Sequence, residues 1–217
     1  MGWTPRPWPN GAPVEGRYCR IERLAPRHLD SLYAIVAADD KSVWTYMPFG
    51  PFETKEAFQS WLEAACVQSD PYYYAILEGA SSGIKGFASY LRIEPNAGVI
   101  EVGAIYFSRE LRQSVLATEA MYLMMRHAID DLGYRRYEWK CDALNAPSRR
   151  AAERLGFTFE GIFRQATIYK GRNRDTAWFS IIDREWPLIE RALEQWLDPS
   201  NFNADGSQKM PLRAFRV

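Results

Sequence analysis

Three short stretches of this 217-residue chain hold polar residues of types and spacing that could do chemistry. Glu101 stands alone among apolar neighbours in Val99-Ile-Glu-Val-Gly103. Eleven residues later, Arg112-Gln113-Ser114-Val115-Leu116-Ala117-Thr118 leads into a long helical pattern. Asn145-Ala-Pro-Ser148 opens a shorter one, which closes on Leu155-Gly-Phe157. A carboxylate can take a proton. A helix start offers unpaired N–H groups and a positive dipole end, which suits a phosphate or pyrophosphate. Asn is a preferred helix cap and can equally hydrogen-bond a ligand. Each stretch also has a plainer reading. Glu101 can be solvated or held structurally, Arg112 can be a surface residue at an ordinary helix start, and Asn145, with Pro147 in the first turn, can serve as a cap alone.

The elements that must position these residues follow from periodicity. Arg17–Leu24 reads as a strand. Pro26 opens a helix to about Ala38, with Leu29, Leu32, Tyr33 and Val36 on one stripe. Thr54 caps a second helix over Lys55–Val67, where Phe58, Trp61, Leu62 and Ala65 recur at helical spacing. Tyr72–Leu77 and Gly86–Ile93 read as a hairpin turning through Glu78–Gly83. Val99–Phe107 is a strand with Val99, Glu101 and Gly103 on one face and Ile100, Val102 and Ala104 on the other. Gln113–Leu132 is the longest helical pattern. Its stripe is Leu116, Ala120, Leu123, Met124 and Ala128, and Gly133 ends it. Then come a strand at Tyr134–Cys141, a helix at Ala146–Leu155, two strands at Phe159–Tyr169 and Thr176–Asp183 joined by Lys170–Asn173, and a helix at Trp186–Leu197. Hairpins followed by strand–helix–strand predict a mixed sheet covered on both faces.

Composition sets outer bounds. The length suits a single domain, read as residues 17–197, with a Pro-rich arm at 1–16 and a polar tail at 198–217. Net charge is zero, so no whole-chain electrostatic argument favours nucleic acid or an anionic membrane as partner. No apolar run approaches the roughly 20 residues that span a bilayer, and the first residues have no apolar signal core. Three widely spaced cysteines argue for reduced thiols and a cytoplasmic location. With two histidines and no Cys-x-x-Cys, no metal site is expected.

The stretch from Asn145 to Gly161 resembles the second motif region of the GNAT superfamily of acyl-CoA-dependent N-acyltransferases, most closely its RimJ/RimL-like branch. The turn at Arg112–Ala117 resembles the family's Q/R-x-x-G-x-G/A, with Val115 where the family has glycine. The resemblance covers roughly Arg17 to Pro187 and implies an α/β (α+β) fold. Its central sheet would be mixed, mostly antiparallel, of about seven strands, splayed like a V, with helices on both faces.

The resemblance implies acetyl-CoA as co-substrate. Its pyrophosphate would sit on Arg112, Gln113, Ser114, Val115, Leu116, Ala117 and Thr118. Its pantetheine arm would pair like an added strand with the backbone of Val102, Gly103 and Ala104, where an N–H would polarise the thioester carbonyl. Asn145 would reach the cofactor arm or an ordered water. Glu101 matches the family's general-base position. Such a base is needed because an α-amine (pKa about 7.8) or a lysine (about 10.4) must lose a proton to attack. The family's usual acid, a tyrosine, would fall at Ala152. In RimL-like members a serine takes that part, and Ser148 matches it. Tyr106 and Tyr137 are other donors to weigh, and Cys141 reads as a core residue rather than a nucleophile.

The loop Trp44-Thr-Tyr-Met-Pro-Phe-Gly-Pro-Phe52 corresponds to one wall of the family's acceptor pocket. Trp44, Tyr46, Phe49 and Phe52 would then line it, unless they simply pack on the sheet. The expected activity is acetyl transfer to a primary amine, either a protein N-terminus or a small molecule. The alternative is an acyl-CoA-binding scaffold of the same fold. A homodimer fits either reading.

Overall fold

A hairpin-rich first half and a strand–helix–strand second half meet in one sheet. The computed structural model describes residues 2–79 and 83–216, so the turn expected at 78–83 falls partly outside the described residues. Eight strands are ordered β1-β2-β3-β4-β5-β6-β8-β7. They are β1 (Val14–Glu15), β2 (Cys19–Arg23), β3 (Tyr72–Glu78), β4 (Ile84–Glu94), β5 (Val99–Phe107), β6 (Arg136–Asp142), β7 (Thr158–Tyr169) and β8 (Arg172–Ile182). All neighbours are antiparallel except β5 and β6. The eighth strand, beyond the expected seven, is β1, which lies in the stretch read as an arm.

Five α-helices cover the faces: α1 (Leu29–Ala37), α2 (Lys55–Val67), α3 (Val115–Arg126), α4 (Ala146–Leu155) and α5 (Trp186–Leu197). Helices α3, α4 and α5 close one core with Ile100, Val102, Tyr137, Trp139 and Phe179 from the sheet. Helices α1 and α2 close a second on the other face, around Trp44, Tyr73, Phe87 and Tyr106. Burial of these side chains is the main driving force for the layering.

Local signals set the boundaries. Thr54 accepts from the Ala57 amide to start α2, as expected. Gly156, with φ of 108°, ends α4 in the left-handed region. The connection expected over Lys170–Asn173 is tighter than the sequence suggested. Lys170 and Gly171 both have positive φ, 49° and 72°, and form a two-residue hairpin turn. Helix α3 also differs from a one-sided stripe. Ten of its twelve residues are buried, so it is enclosed by sheet, α5 and β2 together. A π-helical turn at His127–Asp131 continues it.

The segments outside the helices and sheet are tied down. The Trp3 indole donates to the Asn96 carbonyl at 2.7 Å, and Tyr134 donates to the Pro7 carbonyl at 3.1 Å. Beyond α5, the short turn at Leu212–Phe215 folds back on α5 and α4.

Glu119 holds α3 to the sheet edge. It is buried, and its carboxylate accepts the amides of Arg17 at 2.8 Å, Tyr18 at 2.6 Å and Cys19 at 2.7 Å. Replacing it with Ala leaves three donors in a closed site. Glu119→Ala is therefore expected to lower stability by about 2–4 kcal/mol, read as a shifted urea midpoint, since unpaired buried donors keep their full desolvation cost.

Candidate active site

Strands β5 and β6 pair in parallel from Val99 and Arg136 only as far as Val102 and Trp139. Beyond that point β5 continues against β4, and β6 continues against β8, so a gap opens between their facing edges. Backbone groups along such a gap have no sheet partner on that side and can pair with an extended ligand. At the mouth β5 bulges. Gly103 pairs with Ser89 and Tyr106 with Phe87, so Ala104 and Ile105 together face a single β4 residue. Ala104 takes φ of 47°, an unusual value for a side-chain-bearing residue, at the bulge. The Ser89 hydroxyl donates to the Gly103 carbonyl at 3.0 Å, fixing the bulge from the β4 side.

The turn into α3 reaches the same region. Gln113 is the residue with left-handed backbone, at φ of 59°, while Val115 is already the first residue of α3. The glycine of the related motif is thus not required for backbone conformation here. Ser114 caps the helix, accepting from the Ala117 amide at 3.0 Å, and its hydroxyl donates to the Leu111 carbonyl at 2.7 Å. A cleft beside this helix start is lined by Tyr18, Leu111, Ser114, Val115 and Leu116, with Lys85 and the carboxylates of Glu78 and Glu110 at its side. Arg112 does not face it as a free cation. Its guanidinium pairs with Asp39 and donates to the Phe107 carbonyl at 3.0 Å, pinning the turn to the end of α1. Leu116, Ala117 and Thr118 are buried in the first turns.

On the far side of the gap, the Asn145 side chain caps α4 by accepting from the Ser148 amide at 3.2 Å. The Ser148 hydroxyl accepts from the Trp139 indole at 2.9 Å. Cys141 is buried beside it, and desolvation pushes its thiol up, as a core cysteine requires.

The face of the sheet shared with α1 and α2 carries a line of alternating charge across β4, β5, β6 and β7. Glu101 meets Arg92 at 2.7 Å and Lys140 at 2.9 Å. Lys140 meets Glu138 at 2.7 Å, and Arg136 joins Glu138 and Glu160, each at 2.6 Å. Glu101 is 2% exposed. Burial pushes its carboxyl above the ordinary range, against the pull of Lys140 and Arg92. Glu101 therefore lies neither in solvent nor in an apolar core. It is a buried, doubly paired carboxylate, and each of its oxygens keeps lone-pair capacity.

The aromatic loop separates from the expected pocket wall. Trp44 is 2% exposed and stacks on Tyr106 with centroids 5.1 Å apart. Phe49 and Phe52 pack against Trp44 and Trp61 in the α1–α2 core. Only Tyr46 reaches the mouth, where its hydroxyl donates to the Leu144 carbonyl at 3.2 Å. Tyr106 is committed to the Ile35 carbonyl and to Asp39, both at 3.1 Å, and Tyr137 is enclosed in the α3 core.

Sequence reasoning missed a cluster at the mouth. The Tyr169 hydroxyl donates to the Asp142 carboxylate at 2.7 Å, and Arg172 bonds the Tyr169 oxygen and the Thr45 carbonyl. Lys170 donates to the Trp44 carbonyl at 2.6 Å. The hairpin tip is thus docked on the 44–46 loop rather than free in solvent. The signal available was the Lys-Gly turn, whose register places Tyr169 opposite Arg172. Among the described residues no cluster of three metal-ligating side chains occurs, and no helix is long and apolar enough to cross a membrane.

A sheet that splits beside a capped helix start defines a class. Residues 19–158 match the acetyltransferase (GNAT) domain, and the chain belongs to that family. It is an acyltransferase. A GCN5-related N-acetyltransferase from Brucella melitensis superposes with a TM-score of 0.97 at 47% identity, over 99% of this chain and 98% of that one. The uncharacterised N-acetyltransferase p20 of Bacillus licheniformis is 25% identical over 76% of this chain and 96% of its own length. YdaF of Bacillus subtilis, named as a candidate ribosomal N-acetyltransferase, is 26% identical over 52% of this chain and 64% of its own. The RimJ/RimL-like resemblance agrees with the last of these.

Core and mouth residues of the aromatic loop should respond differently to substitution. Trp44→Ala is expected to cost about 3–5 kcal/mol in chemical denaturation, as for a buried tryptophan. Tyr46→Phe, which loses one exposed hydrogen bond, is expected to stay within about 1 kcal/mol of wild type.

Proposed function

We propose that the protein transfers an acetyl group from acetyl-CoA to a primary amine by direct attack within a ternary complex. The observation that carries this reading is the gap after Val102 and Trp139, with the Ala104 bulge at its mouth and the starts of α3 and α4 flanking it. The pantetheine arm fits the open edge of β5, so that a β5 amide at the bulge would polarise the thioester carbonyl. The amides at the start of α3 suit the pyrophosphate.

Glu101 takes the proton of the incoming ammonium through a water. A carboxyl raised by burial binds a proton better than an ordinary one, which suits a base. Lys140 and Arg92 hold it in place. Ser148, whose oxygen accepts from the Trp139 indole, is a poor acid and would relay a proton to the departing thiolate or orient it, gaining one proton as it passes one on. Tyr46 forms part of the acceptor's surroundings. A protein N-terminus is the acceptor that the branch resemblance favours, with small amines as the other class. The three free thiols, two of them buried, support a reducing cytoplasm as the site of action.

Thiol release from acetyl-CoA with a panel of amines and N-terminal peptides tests the reading. Glu101→Gln is expected to lower kcat/KM by roughly 10²-fold or more while leaving acetyl-CoA affinity unchanged. Activity equal to wild type would remove Glu101 from the mechanism.

The pH profile carries a separate expectation. A base must be ionised, so kcat/KM falls as pH drops through its pKa, and burial of Glu101 moves that fall above the ordinary carboxylate range. The Gln variant should lack this acid limb.

A further inference from the structure

We propose that Arg154 and Arg216 form a clamp for a phosphate of the nucleotide end of acyl-CoA, and so favour nucleotide thioesters over thioesters that lack that end. The proposal rests on the transferase reading given above.

Helix α4 carries Arg149, Arg150 and Arg154, and Arg216 folds back onto its end. Among the described residues, none of these four guanidinium groups pairs with a carboxylate. By contrast, Arg92, Arg112, Arg136 and Arg172 all do. Arg150 and Arg154 are four apart on one helix, an arrangement that repels unless an anion intervenes.

Arg154 is placed at the first turn of α3, where its Nη1 donates to the Thr118 hydroxyl at 3.1 Å. Its guanidinium lies near the Trp196 ring, at 4.9 Å from the centroid. Arg216 follows the Leu212–Phe215 turn. Its Nη1 donates to the Glu153 carbonyl at 3.1 Å and its Nη2 to the Arg154 carbonyl. These bonds satisfy the end of α4, yet the buried Nε of Arg216 has no partner among the described residues. Burial and the adjacent Arg154 charge both lower the tendency of Arg216 to hold its proton. An anion between the two groups would relieve that repulsion and accept bidentate hydrogen bonds.

Two cations flanking this helix start, Lys85 and Arg112, are already neutralised. Lys85 pairs with Glu110 at 2.8 Å and with Glu78 at 3.8 Å, and Arg112 pairs with Asp39. Uncommitted positive charge therefore borders α3 from the α4 side. Arg216 also lies outside the 19–158 family match, so half of the clamp is an addition to the shared domain.

Calorimetric titration of the full chain with acetyl-CoA at several salt concentrations tests the clamp in wild type, Arg154→Gln, Arg216→Gln and Arg216→Lys. Each Gln variant is expected to bind about tenfold more weakly, the loss of one charge-assisted hydrogen bond. Salt should weaken the Gln variants less than wild type, because one screened attraction has gone. Arg216→Lys, which keeps the charge, should retain most of the affinity. A second series with 3′-dephospho-acetyl-CoA identifies the phosphate. Loss of the Gln effect there assigns the 3′-phosphate, and an undiminished effect assigns the pyrophosphate. Unchanged affinity in both Gln variants would overturn the clamp. So would equal losses in Arg216→Gln and Arg216→Lys with wild-type salt dependence and a lowered Tm, which would assign Arg216 to capping α4. Failure of the wild type to bind acetyl-CoA would instead sink the transferase reading itself.

Discussion

The site depends on where the parallel pairing of β5 and β6 stops. Two parallel strands that kept their ladder would satisfy their backbone groups and leave nothing for a ligand. Here the ladder ends at Val102 and Trp139, because each strand then follows its antiparallel neighbour, β4 on one side and β8 on the other. The sheet's own twist pulls such strands apart. The bulge at Ala104 falls at that point and turns the β5 backbone where the gap begins. The two helix starts that border the gap, α3 and α4, each carry a side-chain cap, from Ser114 and Asn145. Their first turns are thereby fixed before any ligand arrives.

Around this gap the two faces of the sheet are built differently. One face is closed by α3, α4 and α5 over a continuous apolar core, which makes that face rigid. The other is covered by α1 and α2 only over its first strands, and beyond them carries the charge line from Arg92 to Glu160. Buried charges are tolerated there because each carboxylate has a cation within hydrogen-bond distance. That arrangement gives Glu101 two opposing influences. Desolvation raises its proton affinity, and its partners keep it oriented. The hairpin tip at Lys170 and Gly171 closes this face by docking on the carbonyls of Trp44 and Thr45.

Much of this was legible in the chain itself. Val99–Phe107, Ala146–Leu155 and Trp186–Leu197 fall where the sequence pattern placed them, but the bulge breaks the alternation of the first, so Ala104 packs with the α1–α2 core and not on the face of Ile100 and Val102. The helix start at Arg112–Thr118 and the cap at Asn145 were visible as local motifs. What stayed hidden depends on contacts distant in sequence. Nothing near Arg112 announces that Asp39 will neutralise it, and nothing near Glu101 announces Lys140. Trp44 reads as a pocket aromatic until Tyr106, far along the chain, stacks on it. The pairing of Tyr169 with Asp142 likewise needs the β7–β8 register before it can be seen.

The central claim is that acyl-CoA occupies the gap between β5 and β6 and reaches the start of α3. Hydrogen–deuterium exchange with and without saturating acetyl-CoA measures this directly, at the amides of Gly103–Ile105 and Val115–Leu116. Slower exchange at both segments, with β2 and β3 unchanged, is the result this account predicts. Unaltered exchange at both segments while acetyl-CoA is bound would contradict it, because the ligand would then lie elsewhere on the molecule.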